Sequence, residues 1–229
     1  MAKGHSQLRA GEMTTESGPQ LAALAEPHAP GPYERFAKPV IDRAAGALLS
    51  ILTLPVVGAI VLAIWRSMGR PAVFHQERIG RSGTPFTVYK FRTMQPDRRN
   101  VGRRIEHAER RQNHKAHDDP RHTTLGRFLR KWSLDELPQF WNLAKGEMSL
   151  VGPRPELPEI VARYAGWQHR RHEVRPGLTG LWQVTSRGDV PMHEATDLDI
   201  EYVDNITFVG DLKILLKTPA AVLGSRKGH

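Results

Sequence analysis

The sequence predicts an α/β fold, mostly helical: a re-entrant helix-break-helix set in a membrane, amphipathic helices on its surface, and a small β region around an Asp-Glu pair. Three observations predict it. Ala44–Trp65, AAGALLSILTLPVVGAIVLAIW, runs 22 residues without a charge. Leu125, Phe128, Leu129 and Trp132 recur at helical spacing, with Arg127, Arg130 and Lys131 on the other faces. Thr87–Arg92 alternates as a strand does and precedes the adjacent carboxylates Asp135 and Glu136.

Composition sets the bounds. The chain has 229 residues and a formal net charge of +9, so an anionic partner is expected: nucleic acid, anionic lipid or a phosphorylated substrate. It has no cysteine, which excludes disulfides, thiol catalysis and cysteine-ligated zinc. His114 and His117, like His169 and His172, are spaced to pair on a helix, but no HExxH pattern is present, and they read as solvated polar faces.

Residues 1–32 are rich in Ala, Gly, Pro, Ser, Thr and Glu and read as a disordered N-terminal tail. They lack the basic start and apolar run of a signal peptide. Residues 33–70 read as the membrane hairpin. As one straight helix Ala44–Trp65 would cover about 33 Å, enough to span a bilayer. Pro55 sits at its middle and should kink or break it, with Ser50 and Thr53 close enough to bond freed carbonyls. Arg35, Lys38 and Arg43 precede the segment; Arg66 and Arg70 follow it. Positive flanks at both ends favour a hairpin that returns to the cytoplasmic face over a spanning helix.

Residues 71–229 read as a cytoplasmic catalytic domain lying on the membrane surface. Val73–Phe74 and Phe86–Phe91 flank a Gly-Arg-Ser-Gly turn, a hairpin pattern that puts Lys90 and Arg92 on one face. Residues 95–121 are polar and basic and read as a solvated loop and helix. Glu156–Tyr164 looks helical, Asp197–Tyr202 looks like a helix start, and Trp182 reads as core. Val209–Leu223 reads as an amphipathic helix with Leu212, Leu215 and Leu216 in one stripe.

The dyad has two readings. Ser133-Leu134-Asp135-Glu136 fits a capping box, in which Ser133 caps a helix and Glu136 bonds back to it. Equally, two acids set among Arg127, Arg130, Lys131 and Arg154 suit chemistry on a phosphate ester: the cations hold phosphates and a carboxylate attacks phosphorus or binds a metal. Both can hold at a helix start, where amide donors and positive potential favour phosphate.

The strings KPVIDR, FHQERIGRSGTPFTVYKFRTM, LGRFLRKWSLDELPQFWNLAKGEMSLVGPRP, VRPGLTGLWQVTSR and DLKILLKT, in this order over about four fifths of the chain, resemble the bacterial sugar transferases, the monotopic polyprenol-phosphate phosphoglycosyl transferases. The resemblance implies transfer of a sugar 1-phosphate from a UDP-sugar to undecaprenyl phosphate, with release of UMP, at the cytoplasmic face of the bacterial inner membrane in polysaccharide synthesis. Asp135 matches the family nucleophile, which forms a phosphosugar-enzyme intermediate. Glu136 matches the second acid, and Mg2+ is expected at the pair. Lys90, Arg130, Arg154 and Arg187 match basic positions of the family pattern and would hold phosphates. Departures from that pattern at Thr124, Ser186 and Glu201 fall in regions that shape the donor pocket and bear on which sugar is used. Nothing in the residues requires a homodimer, though one is possible. The rival classes are a non-catalytic membrane scaffold of the same fold and a basic nucleic-acid-binding protein; the uncharged apolar segment argues against the latter.

Overall fold

The computed structural model describes residues 28–95, 121–186 and 192–224. A π-helical turn, Tyr33–Ala37, runs directly into α1, Lys38–Met68. A hairpin follows, of β1 (Val73–Ile79) and β2 (Pro85–Phe91). Next come α2 (Thr124–Lys131), α3 (Gln139–Lys145), β3 (Ser149–Val151), α4 (Pro158–Val161), β4 (Gly177–Thr179), α5 (Leu181–Thr185), α6 (Thr196–Asp204) and α7 (Phe208–Gly224). Short 3-10 turns cover Arg81–Gly83, Leu134–Glu136 and Gly166–His172. The predicted tail falls outside the described residues except for its last few, and so does most of the basic stretch 95–121.

Of the kink or break expected at Pro55, no break occurs: the 31 residues of α1 run through it as helix. Pro55 has no N–H to give and crowds the preceding turn. Thr53 donates its hydroxyl to the Leu49 carbonyl at 2.6 Å, one turn before the proline. The helix is held on both sides of this weak point. Before it, Lys38, Asp42 and Gly46 are buried; after it, Ile60 and Ile64 are buried. One polar set pins the first arm. Lys38 Nζ donates to Asp211 Oδ2 at 2.5 Å, and Asp42 accepts from Ser149 Oγ at 2.7 Å and from the Leu150 N–H at 2.9 Å. Gly46 lies flush on α3, where a Cβ would stand 2.4 Å from the Ala144 nitrogen. The second arm enters an apolar core: Ile60, Ile64, Ala72, Phe91 and Leu129, with Leu134 and Leu137 packed against it. Arg92 donates to the carbonyls of Met68, Gly69 and Arg70, closing the end of α1.

The hairpin matches its sequence reading. β1 and β2 pair antiparallel with Val73 opposite Phe91 and Ile79 opposite Pro85. A second, parallel pair joins β3 to β4. Beside it lies a second core of Val151, Val174, Tyr202, Val203 and Ile214. Trp182 is buried, as expected. The helix read over Glu156–Tyr164 shrinks to the single turn of α4. The α7 stripe splits: Leu215 packs toward the core while Leu212 and Leu216 are exposed. His172 is buried against the Tyr164 ring, not solvated; His114 and His117 lie outside the described residues.

Candidate active site

The dyad is built on a turn whose geometry rules out the capping box. Ser133 sits in the left-handed region at φ 52° and makes no side-chain cap. Its carbonyl accepts the Glu136 N–H at 3.2 Å, so the local order comes from the backbone. Leu134–Glu136 form one 3-10 turn, and α3 begins only after Pro138. Leu134 and Leu137 bracket the acids and pack into the core that receives Ile60 and Ile64. The turn that carries the acids is therefore anchored, through these leucines, in the core that α1 enters.

Glu136 finds its partners far along the chain. Lys90 Nζ, from β2, donates to Glu136 Oε1 at 2.8 Å, and Arg154 Nη2 donates to the same oxygen at 2.7 Å. All three side chains are about four-fifths buried. Lys90 is set by β2, and β2 is held to α3 by Asn142. This fully buried amide donates to the Thr87 carbonyl at 2.6 Å and accepts the Tyr89 N–H at 3.3 Å. Arg154 comes from the Gly152–Glu156 loop that follows β3. Gly152 approaches its neighbours so closely that a Cβ would stand 2.5 Å from the Arg175 carbonyl oxygen.

The electrostatics separate the two acids. Burial pushes Glu136 up, but Arg154 and Lys90 outweigh it and hold the carboxyl well below its usual range. Burial pushes Asp135 up to about 6, the Glu136 charge adds to this, and Lys90 and Arg154 offset only part of it. Burial lowers Lys90 against the pull of Glu136, while Glu136 raises Arg154. One acid is thus a stable anion locked between two cations. Its neighbour titrates near neutrality, the poise of a nucleophile or base.

Of the predicted phosphate holders, Lys90 and Arg154 reach the dyad. Arg130 lies in the last turn of α2, half-buried, and its carbonyl accepts the Ser133 N–H at 3.1 Å. Arg187 lies outside the described residues. Among the described residues no group of three or more His, Asp or Glu side chains is gathered as a metal cage. Two carboxylates with a diphosphate nonetheless fit Mg2+, which commonly takes one or two carboxylates and completes its shell with phosphate oxygens and water. Asn142 was missed by sequence reasoning. Its only signal is an amide inside the apolar run Phe140–Leu143.

The chain matches the bacterial sugar transferase family over residues 33–225. It is 39% identical to the galactosyl transferase CpsE of Streptococcus agalactiae over 78% of this chain and 40% of that protein. It is 40% identical to the UDP-galactose-lipid carrier transferase of Erwinia amylovora over 82% of this chain and 41% of that one. The chain thus spans about two fifths of the length of these relatives. It covers more of the UDP-glucose:undecaprenyl-phosphate glucose-1-phosphate transferase of Caulobacter vibrioides: 39% identity over 84% of this chain and 73% of that protein. With its match running from the π-helical turn to the end of α7, the chain belongs to the bacterial sugar transferase family.

Proposed function

We propose that the chain transfers a sugar 1-phosphate from a UDP-sugar to undecaprenyl phosphate through a phosphosugar-aspartyl intermediate. The observation that carries this reading is the unequal pair: a half-buried Asp135 with its carboxyl pushed up by desolvation, beside a Glu136 whose Oε1 is held by Lys90 at 2.8 Å and Arg154 at 2.7 Å. A carboxylate oxygen of Asp135 attacks the β-phosphorus of the donor. The bond from that phosphorus to the bridging oxygen breaks, and UMP leaves with the electron pair. A phosphate oxygen of the lipid acceptor then attacks the same phosphorus, frees Asp135 and yields the polyprenyl-diphosphate-sugar. Lys90 and Arg154 offset the charge that builds on the transferring group, and Arg130 and Arg187 are proposed as further phosphate holders. Asp135 and Glu136 would hold Mg2+ together with the diphosphate; the ion supplies charge neutralisation as the leaving group departs.

Membrane docking is supported by the exposed apolar side chains. Leu48, Ile51, Leu52, Leu54 and Val56 of α1 are 47–65% exposed. Phe128, Trp132, Trp141, Phe208 and Leu216 are exposed on the surface helices. We read residues 33–70 as a re-entrant membrane element and the remainder as a domain on the cytoplasmic face of the inner membrane.

The test uses a panel of UDP-sugars labelled in the β-phosphate, with undecaprenyl phosphate and Mg2+ in detergent. With one donor, wild type is expected to release UMP and, without acceptor, to retain label on the protein. Asp135→Asn should do neither. UMP release that persists in Asp135→Asn would overturn the nucleophile assignment.

A further inference from the structure

The loop that delivers Arg154 cannot hold itself. Pro153 and Pro155 flank Arg154 and have no N–H to donate. Its three successive carbonyls are each satisfied from outside. Pro153 accepts the Gly177 N–H at 2.8 Å, Pro155 accepts Arg78 Nη1 at 3.1 Å, and Arg154 accepts Arg171 Nη2 at 2.7 Å. Arg171 comes from the 3-10 turn Gly166–His172 and is 2% exposed. Its Nη2 also lies 2.7 Å from Asp199 Oδ2 of α6, itself 1% exposed, and its Nη1 donates to the Tyr164 hydroxyl. A cation sealed this far from water is expensive, and a buried ion pair seldom repays the desolvation of both partners. Packing alone would be better served by an apolar side chain. What an apolar side chain lacks is a donor for the Arg154 carbonyl.

We infer that Arg171, braced by Asp199, is a positioning residue that sets the Arg154 guanidinium on the dyad. The inference rests on the proposed role of that dyad. Arg154 Nη2 donates to Glu136 Oε1 at 2.7 Å, on the same oxygen as Lys90 Nζ and one residue from Asp135. A small displacement of the Arg154 backbone therefore reaches the reacting carboxylate.

The informative variant is Arg171→Lys. An ammonium keeps a charge beside Asp199, and so the fold, but is shorter and lacks the rigid second nitrogen that, by holding the Tyr164 hydroxyl, aims Nη2 at both Asp199 and the Arg154 carbonyl. With melting temperature close to wild type, kcat is expected to fall about 10–100-fold, the scale of a misplaced catalytic group. KM for the UDP-sugar should change less than about 3-fold, because the loss falls on the placement of Arg154 in the transition state and not on general folding. Asp199→Asn should act in the same direction and more weakly. The decisive arm is a double-mutant cycle. In an Arg154→Ala background, Arg171→Lys should change kcat less than about 3-fold, since its effect is routed through the missing side chain. Equal losses in both backgrounds would overturn the inference.

A readout independent of turnover keeps the two claims apart. Infrared spectra of protein labelled with 13C in the arginine guanidinium follow the band lost in Arg154→Ala. If wild type turned over no donor, the proposed function would fail. The spectra would still decide the positioning claim: the Arg154 band should shift in Arg171→Lys at unchanged melting temperature, and an unshifted band would overturn it.

Discussion

Asp135 and Glu136 are neighbours in sequence with opposite electrostatic fates, and each fate predicts a measurement. Glu136 raises Asp135 through its charge. Glu136→Gln removes that charge, so the acid limb of any residual activity should move below the wild-type value near 6, even as turnover falls by about 10²-fold or more from the disrupted pairing with Lys90 and Arg154. An acid limb that stays in place or rises would show that Asp135 is not the group being titrated. Asp135 itself is held above its ordinary pKa of 3.8, so the folded chain keeps a proton there that the unfolded chain has released. The stability this group contributes is present at low pH and is lost as pH rises through about 6. At pH 7.5 the buried carboxylate opposes folding. Asp135→Asn should therefore stabilise the protein by about 1–2 kcal/mol at pH 7.5 while abolishing transfer, and the gain should vanish near pH 4. Thermal unfolding in detergent at the two pH values reads the difference.

At the scale of elements, α1 and its seat on α3 matter most. Gly46 is flush against the α3 backbone, whereas Gly58, twelve residues on in the same helix, has open space around it. Gly46→Leu should cost about 1–3 kcal/mol or more by overpacking, lower the melting temperature and loosen the dyad, while Gly58→Leu should be nearly silent in stability. Equal effects would mean that α1 does not lean on α3. The elements also show what the sequence could carry. The hairpin was legible because alternation and a Gly-Arg-Ser-Gly turn are local signals. The long apolar helix was legible because a helix in water needs a polar face, and 22 uncharged residues leave it none. The continuity of α1 through Pro55 was not, because contacts on both sides of the proline decide it. The dyad lay between: spacing alone fitted a capping box equally well. What settles its geometry is the backbone of Ser133 and two cations, 46 residues before and 18 residues after Glu136. Nothing in the sequence singles out Arg171 or Asp199. Their burial is a property of the folded chain that no periodicity reports.

At the scale of the molecule, the question is which side of the bilayer each end of α1 occupies. The first arm is held to the domain by Lys38, Asp42 and Gly46, and the second by Val57, Ile60, Val61 and Ile64. Between these contacts lie only residues 47–56, about 15 Å of helix, half the hydrocarbon thickness of a bilayer. A domain that grips both arms cannot stand on both sides of a membrane, so these contacts favour the proposed re-entrant reading, with the exposed leucines and isoleucines of α1 in lipid. The chain has no cysteine, so single substitutions report without background. Phe36→Cys, ahead of the first arm, and Ser67→Cys, at the end of the second, should both resist a membrane-impermeant maleimide in intact spheroplasts. Both should react once the inner membrane is permeabilised with a pore-forming toxin. Leu52→Cys, at the middle of the exposed stretch, should react in neither condition and only after detergent extraction. Labelling of one end from outside and the other from inside would make α1 a spanning helix. The domain contacts on one of its arms would then have to be broken in the membrane.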